Sequence, residues 1–155
     1  MIFKNQFKIK EVDFRDTLSL RCKVLKPHLT EQECINPGDL RSGSFHFAAF
    51  SINSNFESDP LGIASFEIEN HPQLKANLAY RLRGMATDES ARNVGLGRQL
   101  VLLGETKIRS QNGDLLWFNA REIAFPFYQS LGFQSWGEIF DISPIGPHKV
   151  MYKYL

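Results

Sequence analysis

At 155 residues the chain has the length of one ordinary domain and enough apolar residues to fill a sizeable core. Its 18 Lys and Arg residues nearly balance its 17 Asp and Glu residues, so net charge gives no reason to expect a nucleic acid or a membrane surface as a partner. No apolar run approaches the roughly 20 residues that span a bilayer, and the first ten residues, MIFKNQFKIK, lack the apolar centre and cleavage site of a secretory signal.

The two cysteines set the next constraint. Cys22 and Cys34 form no CxxC pair, so we expect no disulfide framework and a reducing, cytoplasmic environment. With His28 between them the spacing is C-x5-H-x5-C, which is not a recognised zinc-binding pattern. We therefore expect no metal site.

The first half of the chain is dominated by strand-like patterns. Residues 7–12 (FKIKEV) alternate with period two, and Asp13 can then cap a helix over residues 14–25 that Pro27 ends. The segment 30–43 is polar and rich in turn residues. Short turns favour an antiparallel meander for the next three runs, since parallel strands need long crossovers. These runs are 44–52, 61–69 and 77–87.

The second half alternates helices and strands. Apolar residues recur at helical spacing from about residue 95 to residue 110, and the turn QNGD ends that helix. The order β-α-β-β-β-α-β-α-β-β predicts a single mixed α/β domain over 1–155, with at least one parallel crossover around the 95–110 helix. The remaining predicted elements are a strand at 115–120, a helix at 122–131 with Gly132 as its left-handed cap, and strands at 133–142 and 148–155.

A glycine-rich turn, RNVGLG (92–97), opens the 95–110 helix. The dinucleotide fingerprint GxGxxG would need a glycine at position 100, where the chain has Leu100, and the Walker pattern is absent. The turn nevertheless favours binding of an anion. It offers the free amides of a helix start, the close approach that two glycines allow, and the positive charges of Arg92 and Arg98. From these residues alone, a tight strand-to-helix turn remains an equal alternative.

Two motifs together give a more specific indication. RNVGLG after the strand LRGMAT (82–87) resembles the [RQ]-x-x-G-x-[GA] acetyl-CoA loop of the GNAT superfamily of N-acetyltransferases. Downstream, AFPFYQSLGF (124–133) is similar to the family's A-x-x-x-Y-x-x-x-GF segment. The resemblance covers nearly the whole chain, but the first 45 residues match only in outline. It implies a mixed, mostly antiparallel sheet of about seven strands flanked by helices and splayed between the fourth and fifth strands.

The resemblance implies acetyl-CoA as co-substrate, with no metal. The pyrophosphate would sit on the amides of the turn, and the pantetheine arm would pair with the edge of the preceding strand, where Gly84 marks a bulge at which we expect the sheet to splay. Many relatives carry asparagine seven residues before the tyrosine, where this chain has Arg121. The residues implied in cofactor binding are Met85, Ala86, Thr87, Arg92, Asn93, Val94, Gly95, Leu96, Gly97, Arg98 and, for the cofactor's arm, Asn119.

Tyr128 occupies the family's general-acid position, and its alternative role is that of a core aromatic residue. A phenol is a weaker acid than a thiol, so we expect it to stabilise the departing thiolate by hydrogen bonding. The general base stays unassigned, because the strand before the loop presents Arg81, Arg83 and Met85 where relatives often have glutamate. His46 and His148 are candidates for the base, and a structural role is an equal alternative for both.

The arginines give the indication about the acceptor. Guanidinium groups suit carboxylates, so Arg81, Arg83 and His46 are candidates for binding a small-molecule primary amine that carries a carboxylate. The alternative is that the arginines pair with Glu67 or Glu69. No cysteine matches a catalytic motif, which favours direct attack in a ternary complex. A non-catalytic acyl-CoA-binding or regulatory module on the same fold is the rival function, and homodimers are common among relatives but not indicated by this sequence.

Overall fold

The computed structural model describes residues 6–53 and 58–155. Part of the amino-terminal stretch that we judged not to be a secretory signal, residues 1–5, therefore lies outside the described residues. The helices are α1 (Leu18–Leu25), α2 (Leu96–Ser110) and α3 (Phe125–Ser130). The strands are β1 (Phe7–Val12), β2 (Phe45–Ser51), β3 (Gly62–Ile68), β4 (Ala79–Leu82), β5 (Ala86–Thr87), β6 (Leu115–Arg121), β7 (Gln134–Ile142) and β8 (Gly146–Tyr154).

The strands form one sheet in the order β1-β2-β3-β4-β6-β8-β7, with β5 paired to β3. β4 and β6 run parallel and are connected through α2, whereas the other pairs of described strands are antiparallel. The mixed, mostly antiparallel sheet and the crossover around α2 are thus confirmed. The sheet has eight strands rather than about seven because the predicted strand 77–87 is divided into β4 and β5.

Helix α2 lies close to one face of the sheet because its apolar stripe is fully buried. Leu96, Leu100 and Ile108 are at most 1 % exposed and belong to the main core cluster. Gly104 permits the close approach, since a Cβ there would stand 2.1 Å from the Phe66 ring. A helix packed this tightly against β3 has a fixed position for its amino-terminal end, which lies next to β5.

Helix α1 packs on the opposite face. Its Leu20 is buried against Ala48 and Phe50 of β2, Ile63 of β3 and Ala86 of β5. The sheet is therefore a middle layer with helices on both faces, as burial of two apolar sheet faces requires. No helix within residues 6–53 and 58–155 is long and apolar enough to cross a membrane.

The predicted helix boundaries are reproduced with local changes. Asp13 caps the start of the first helical segment by accepting a hydrogen bond from the Arg15 amide at 3.0 Å, and α1 ends at Leu25, two residues before Pro27. The segments Phe14–Thr17 and Glu122–Ala124 are 3₁₀ turns that lead into α1 and α3. Gly132 follows α3 with a φ of +92°, in the left-handed region expected of a helix cap.

Candidate active site

The sheet opens between β5 and β6. Parallel pairing of β4 with β6 runs from the Ala79–Leu115 pair to the Arg81–Trp117 pair and then stops. Further along the chain, β5 continues to pair with β3 on its other side. The expected splay between the fourth and fifth predicted strands is thus present, and it leaves one edge of β5 unpaired.

A one-residue bulge at Gly84 separates β4 from β5. Leu82 pairs with Phe66 and Ala86 pairs with Ile63, so two residues of β3 face three residues, 83–85, of the other strand. Gly84 has a φ of +91°, in the region that favours glycine, and a Cβ there would lie 3.1 Å from Nε of Arg21. Both the backbone conformation and the available space therefore require glycine at the point where the sheet opens.

The open edge of β5 presents backbone groups to the gap. The Asp88 amide donates to the Leu61 carbonyl at 2.8 Å, so Ala86, two residues earlier, also bonds towards β3. Alternation in an antiparallel pair then turns the N–H and C=O of Thr87 outward. The N–H of Met85 donates to no acceptor among the residues that the structure describes. An extended ligand could therefore hydrogen-bond along this edge.

The turn before α2 gathers unpaired amides. Asn93 and Gly95 have φ values of 63° and 82°, and the first helical hydrogen bond is donated by the Gln99 amide to Gly95. Within the described part of the chain, no acceptor takes the amides of residues 93–98. These amides stand at the positive end of a 15-residue helix, beside Arg92 and Arg98, which makes the turn an anion-binding feature.

Asp88 anchors the link between β5 and this turn. Its carboxylate accepts from the Lys23 ammonium at 2.8 Å and from the Ser90 amide and hydroxyl at 3.0 and 2.7 Å. These hydrogen bonds, from Lys23 first, lower the pKa of Asp88 to about 2. The carboxylate thus joins α1 to the segment that precedes the anion-binding turn.

A groove of about 790 Å³, here called the β5 groove, lies between β5, the turn and α3. Of the predicted cofactor residues, Val94 packs its side chain against the core while its amide remains one of the unpaired amides of the turn, and Asn119 lies in a second pocket. Apolar side chains of Val24, Ile123 and Phe127 complete the groove's walls. The predicted residues that line it are Met85, Ala86, Thr87, Arg92, Asn93, Gly95, Leu96, Gly97 and Arg98.

Tyr128 of α3 lies where the β5 groove meets the second pocket and lines both. Its ring packs against Phe118, Phe127 and Phe133 at centroid distances of 4.3, 5.0 and 5.9 Å, and burial raises the pKa of its phenol. The hydroxyl has no hydrogen-bond partner among the described residues. Tyr128 is thus both a core aromatic residue and a protonated donor available at the junction.

The second pocket, of about 320 Å³, is here called the basic pocket. It lies between the end of α1, β4, β6 and β8, and no carboxylate is among its described lining residues. Sequence reasoning did not place Arg21, Lys26 or Arg121 here, because no local motif connects the end of α1 to the end of β6. Its basic lining residues are Arg21, Lys26, Arg81, Arg83 and Arg121.

Three of these five cations are neutralised by acids. Arg81 pairs with Glu69 at 2.7 Å and Arg83 with Glu67 at 3.3 Å, the alternative that the sequence left open for both. Arg21 is 1 % exposed and forms a bidentate pair with Asp39 at 2.7 and 3.1 Å.

The other two basic residues keep their charge available. Arg121 donates to the Leu25 carbonyl at 3.3 Å, and neither Arg121 nor Lys26 pairs with a carboxylate of the described residues. The positive charge that is open to a ligand therefore lies at Arg121 and Lys26 rather than at Arg81 and Arg83.

The two candidate histidines occupy different environments. His46 does not line either pocket: its Nδ1 is 2.8 Å from the Ser65 hydroxyl, which also accepts from Arg21, and burial lowers its pKa. The structure therefore does not bring His46 to the predicted substrate site, because β2 holds it against Ser65 and outside both pockets. His148 does line the basic pocket, and its Nδ1 lies 2.8 Å from the Gly146 carbonyl.

The two cysteines lie away from the site. Cys22 and Cys34 are free thiols that line neither pocket, and burial raises the pKa of Cys34 to about 11. Over residues 6–53 and 58–155 there is no group of three or more His, Cys, Asp or Glu side chains that could hold a metal ion.

The open β5 edge, the amide-rich turn and the buried tyrosine belong to a stretch that a family model recognises. The model, described as an acetyltransferase (GNAT) domain, matches residues 46–135, more than half of the chain. The chain is a member of the GNAT family. A GNAT relative, the uncharacterized N-acetyltransferase YitI of Bacillus subtilis (strain 168), is 37 % identical over 147 residues, which are 95 % of each chain.

Solved structures show the same GNAT fold at lower identity. FeeM, an N-acyl amino acid synthase from uncultured soil microbes, superposes with a TM-score of 0.74 at 13 % identity, covering 96 % of this chain and 90 % of FeeM. A chain of the NatC complex bound to Gag peptide and CoA gives a TM-score of 0.72 at 16 % identity, covering 97 % and 99 %. The GNAT chain described here is an N-acetyltransferase.

Proposed function

We propose that this enzyme transfers the acetyl group of acetyl-CoA directly to the primary amine of a small molecule that carries a carboxylate. The observation that carries the proposal is the junction of two unlike sites at Tyr128 and Met85. One site offers unpaired backbone amides, and the other offers basic side chains without a lining carboxylate. A donor and an acceptor held in these two sites would meet at the junction.

The β5 groove suits acetyl-CoA. The unpaired amides of residues 93–98, with Arg92 and Arg98, form the place for the pyrophosphate. The outward backbone groups of Thr87 would pair with the amide-containing pantetheine arm, as an added strand pairs with a sheet edge. The bulge at Gly84 gives the thioester room beside the Met85 amide.

The proposed chemistry is attack of a neutral amine on the thioester carbonyl. The N–H of Met85 stabilises the negative charge that develops on the carbonyl oxygen, because it is already oriented and has no other described acceptor. The Tyr128 hydroxyl donates a hydrogen bond to the departing sulfur. Since burial raises the pKa of Tyr128, its contribution is hydrogen bonding rather than early proton release.

The basic pocket suits a small acid. Arg121 and Lys26 supply the charge that would bind the acceptor's carboxylate, while Arg81 and Arg83 are already paired with acids. A volume of about 320 Å³ is at the lower end of the range for ligand pockets, which favours a metabolite of amino-acid size. The structural neighbour FeeM, described as an N-acyl amino acid synthase, supports an amino-acid-like acceptor.

The rival function is a non-catalytic acyl-CoA-binding or regulatory module. Such a module would need the β5 groove but neither an unpaired tyrosine hydroxyl at its end nor a basic pocket beyond it. Direct transfer is also favoured over an acetyl-enzyme intermediate, since Cys22 and Cys34 both lie away from the two pockets.

Release of the CoA thiol from acetyl-CoA, measured with a panel of amines, tests the proposed function. The panel contains glycine, β-alanine and L-glutamate as acidic amines, and putrescine and spermidine as basic ones. We expect turnover with at least one acidic amine at a kcat/KM at least tenfold above that for the polyamines. Tight CoA binding without turnover would support the regulatory module, and a preference for polyamines would reject the acidic acceptor.

A further inference from the structure

The proposed reaction needs a base that the GNAT-like motifs of this chain do not supply. An alkyl ammonium with a pKa near 10.4 is only about one part in a thousand neutral at pH 7, so its proton has to be removed before attack. The carboxylates of Glu67 and Glu69 are paired with Arg83 and Arg81. No described carboxylate lines the basic pocket, so the base is a group of another type.

The titratable side chains that line the basic pocket narrow the choice. Its arginines and Lys26 are cationic hydrogen-bond donors and have no lone pair to offer. Tyr128 is a phenol whose pKa burial raises further. His148 is the remaining titratable group among the described lining residues, and histidine is the side chain that ordinarily changes charge between pH 5 and 8.

The hydrogen bond of His148 fixes which ring nitrogen is free. A carbonyl oxygen only accepts, so the 2.8 Å contact with Gly146 means that Nδ1 carries the proton. The neutral ring then has its lone pair on Nε2, which has no hydrogen-bond partner among the described residues. Phe140 stacks on the ring at 6.2 Å with an interplanar angle of 26°. The ring is thus held in the tautomer that a base requires.

The strand register places His148 beside the proposed carboxylate-binding residue. His148 of β8 is directly opposite Arg121 of β6, so the two side chains share one face of the sheet. Asn119, two residues before Arg121, lies on the same face and also lines the pocket. An acceptor whose carboxylate is bound by Arg121 would therefore have its amine within the same small pocket as His148.

We propose that His148 is the general base of the reaction, with Nε2 removing one proton from the acceptor's ammonium group. This inference rests on the proposed function. The neutral amine nitrogen then forms a bond to the thioester carbon, and the carbon–sulfur bond breaks. The second proton on the attacking nitrogen passes to the CoA sulfur, which is hydrogen-bonded by Tyr128. The products are the amide and the CoA thiol, and the imidazolium releases its proton to solvent.

A matched pair of acceptors tests the base without changing the size or charge of the carboxylate end. β-Alanine and aminooxyacetate differ by one CH₂-to-oxygen exchange, but the first amine is protonated at neutral pH and the second is neutral. For His148→Gln we expect kcat/KM with β-alanine to fall about 10²- to 10⁴-fold, the usual contribution of general base catalysis, and to change far less with aminooxyacetate. His28→Gln, an exposed histidine outside both pockets, is the control.

Two further measurements separate a catalytic from a structural effect. CoA binding by His148→Gln should equal that of the wild type, and added imidazole should restore turnover of β-alanine by His148→Ala. Equal losses with both acceptors and no imidazole rescue would overturn the assignment, as would a His148→Gln enzyme with unchanged kcat/KM. Failure of the wild-type enzyme to release CoA thiol with any acidic amine would instead reject the proposed function, and the base with it.

Discussion

The β5 groove and the basic pocket meet at Tyr128 but are built from different parts of the chain. The groove uses mainly backbone groups from one stretch, the bulge at Gly84 through the turn at residues 92–97 and into α2. The pocket uses side chains from α1, β4, β6 and β8, which are distant in sequence. Backbone amides bind any pyrophosphate in the same way, whereas side chains select an acceptor. We therefore expect substitutions in the two regions to have separable effects on donor binding and on acceptor preference.

The largest effect on turnover without an effect on donor binding should appear at Tyr128, where the two regions meet. Tyr128→Phe removes the hydroxyl that would donate to the departing sulfur but keeps the ring against Phe118 and Phe133. We expect kcat to fall by about 10²-fold, the usual cost of a lost donor to developing charge, with unchanged CoA affinity. Steady-state rates with isothermal titration of CoA measure both, and an unchanged kcat would remove Tyr128 from the mechanism.

Arg121→Gln tests whether the basic pocket, and not the β5 groove, determines which acceptor the enzyme prefers. Loss of a charge-assisted hydrogen bond of about 1.5–3 kcal/mol should lower kcat/KM for β-alanine by about 10- to 100-fold. CoA affinity should not change, because Arg121 does not line the β5 groove. Arg109→Gln, at the exposed end of α2, is the control. A similar loss for putrescine and β-alanine would show that Arg121 does not recognise a carboxylate.

Gly84→Ala tests the link between the bulge and the groove. An alanine with a φ near +91° costs roughly 1–2 kcal/mol, and its Cβ would also crowd Nε of Arg21. Gly137→Ala is matched in backbone strain, with a φ of +77°, but its Cβ would meet no atom within 4 Å. We expect both variants to lose stability in chemical denaturation, Gly84→Ala more than Gly137→Ala because of the crowding, and only Gly84→Ala to bind acetyl-CoA about tenfold more weakly. Equal CoA affinity in the two variants would show that the bulge at Gly84 does not contribute to donor binding.

The smallest expected effect concerns Asp88, which anchors the segment between β5 and the anion-binding turn. Asp88→Ala should lower the free energy of unfolding by about 1 kcal/mol through loss of the cap on Ser90, whereas Asp88→Asn should cost less because asparagine can cap and Lys23 is exposed.

The same carboxylate gives a pH dependence whose sign follows from its lowered pKa. The folded-state pKa of Asp88, about 2, is below its ordinary value, so its stabilisation is complete above pH 4 and is lost as pH falls towards 2. Wild type should lose stability over this range more steeply than Asp88→Asn in acid titrations followed by circular dichroism. Asp16→Asn changes an exposed acid whose carboxylate has no hydrogen bond or ion pair among the described residues, and it should follow the wild type. Parallel curves for Asp88→Asn and wild type would contradict the assigned cause.

The difference between the two regions also explains how much the sequence could predict. The turn, the edge strand and Tyr128 lie in contiguous motifs. The order of elements predicts the crossover, whereas the splay and the groove's predicted lining are implied by the resemblance that those motifs carry. The one-residue bulge could be suspected from Gly84, but its register depends on the partner strand β3. Val94 was expected to contribute its backbone amide, and its partly buried side chain packs against the core, which the motif does not show.

The basic pocket could not be predicted in the same way. Arg81 and Arg83 were recognised on one strand face, but only the pairing of β3 with β4 shows that Glu69 and Glu67 already hold them. Arg121 and His148 become neighbours through the β6–β8 pairing, which joins residues that no local pattern relates. Long-range strand order thus decides which charges remain available to an acceptor.

A competition experiment tests the central claim most directly. Wild-type enzyme and acetyl-CoA are incubated with equal concentrations of glycine, β-alanine, L-glutamate, putrescine and spermidine, and the acetylated products are identified by mass spectrometry. We expect the acetyl group on an acidic amine, with CoA thiol released in equal amount. Acetylation of the polyamines alone, or bound acetyl-CoA with no product, would contradict a GNAT enzyme whose basic pocket selects a carboxylate-bearing amine.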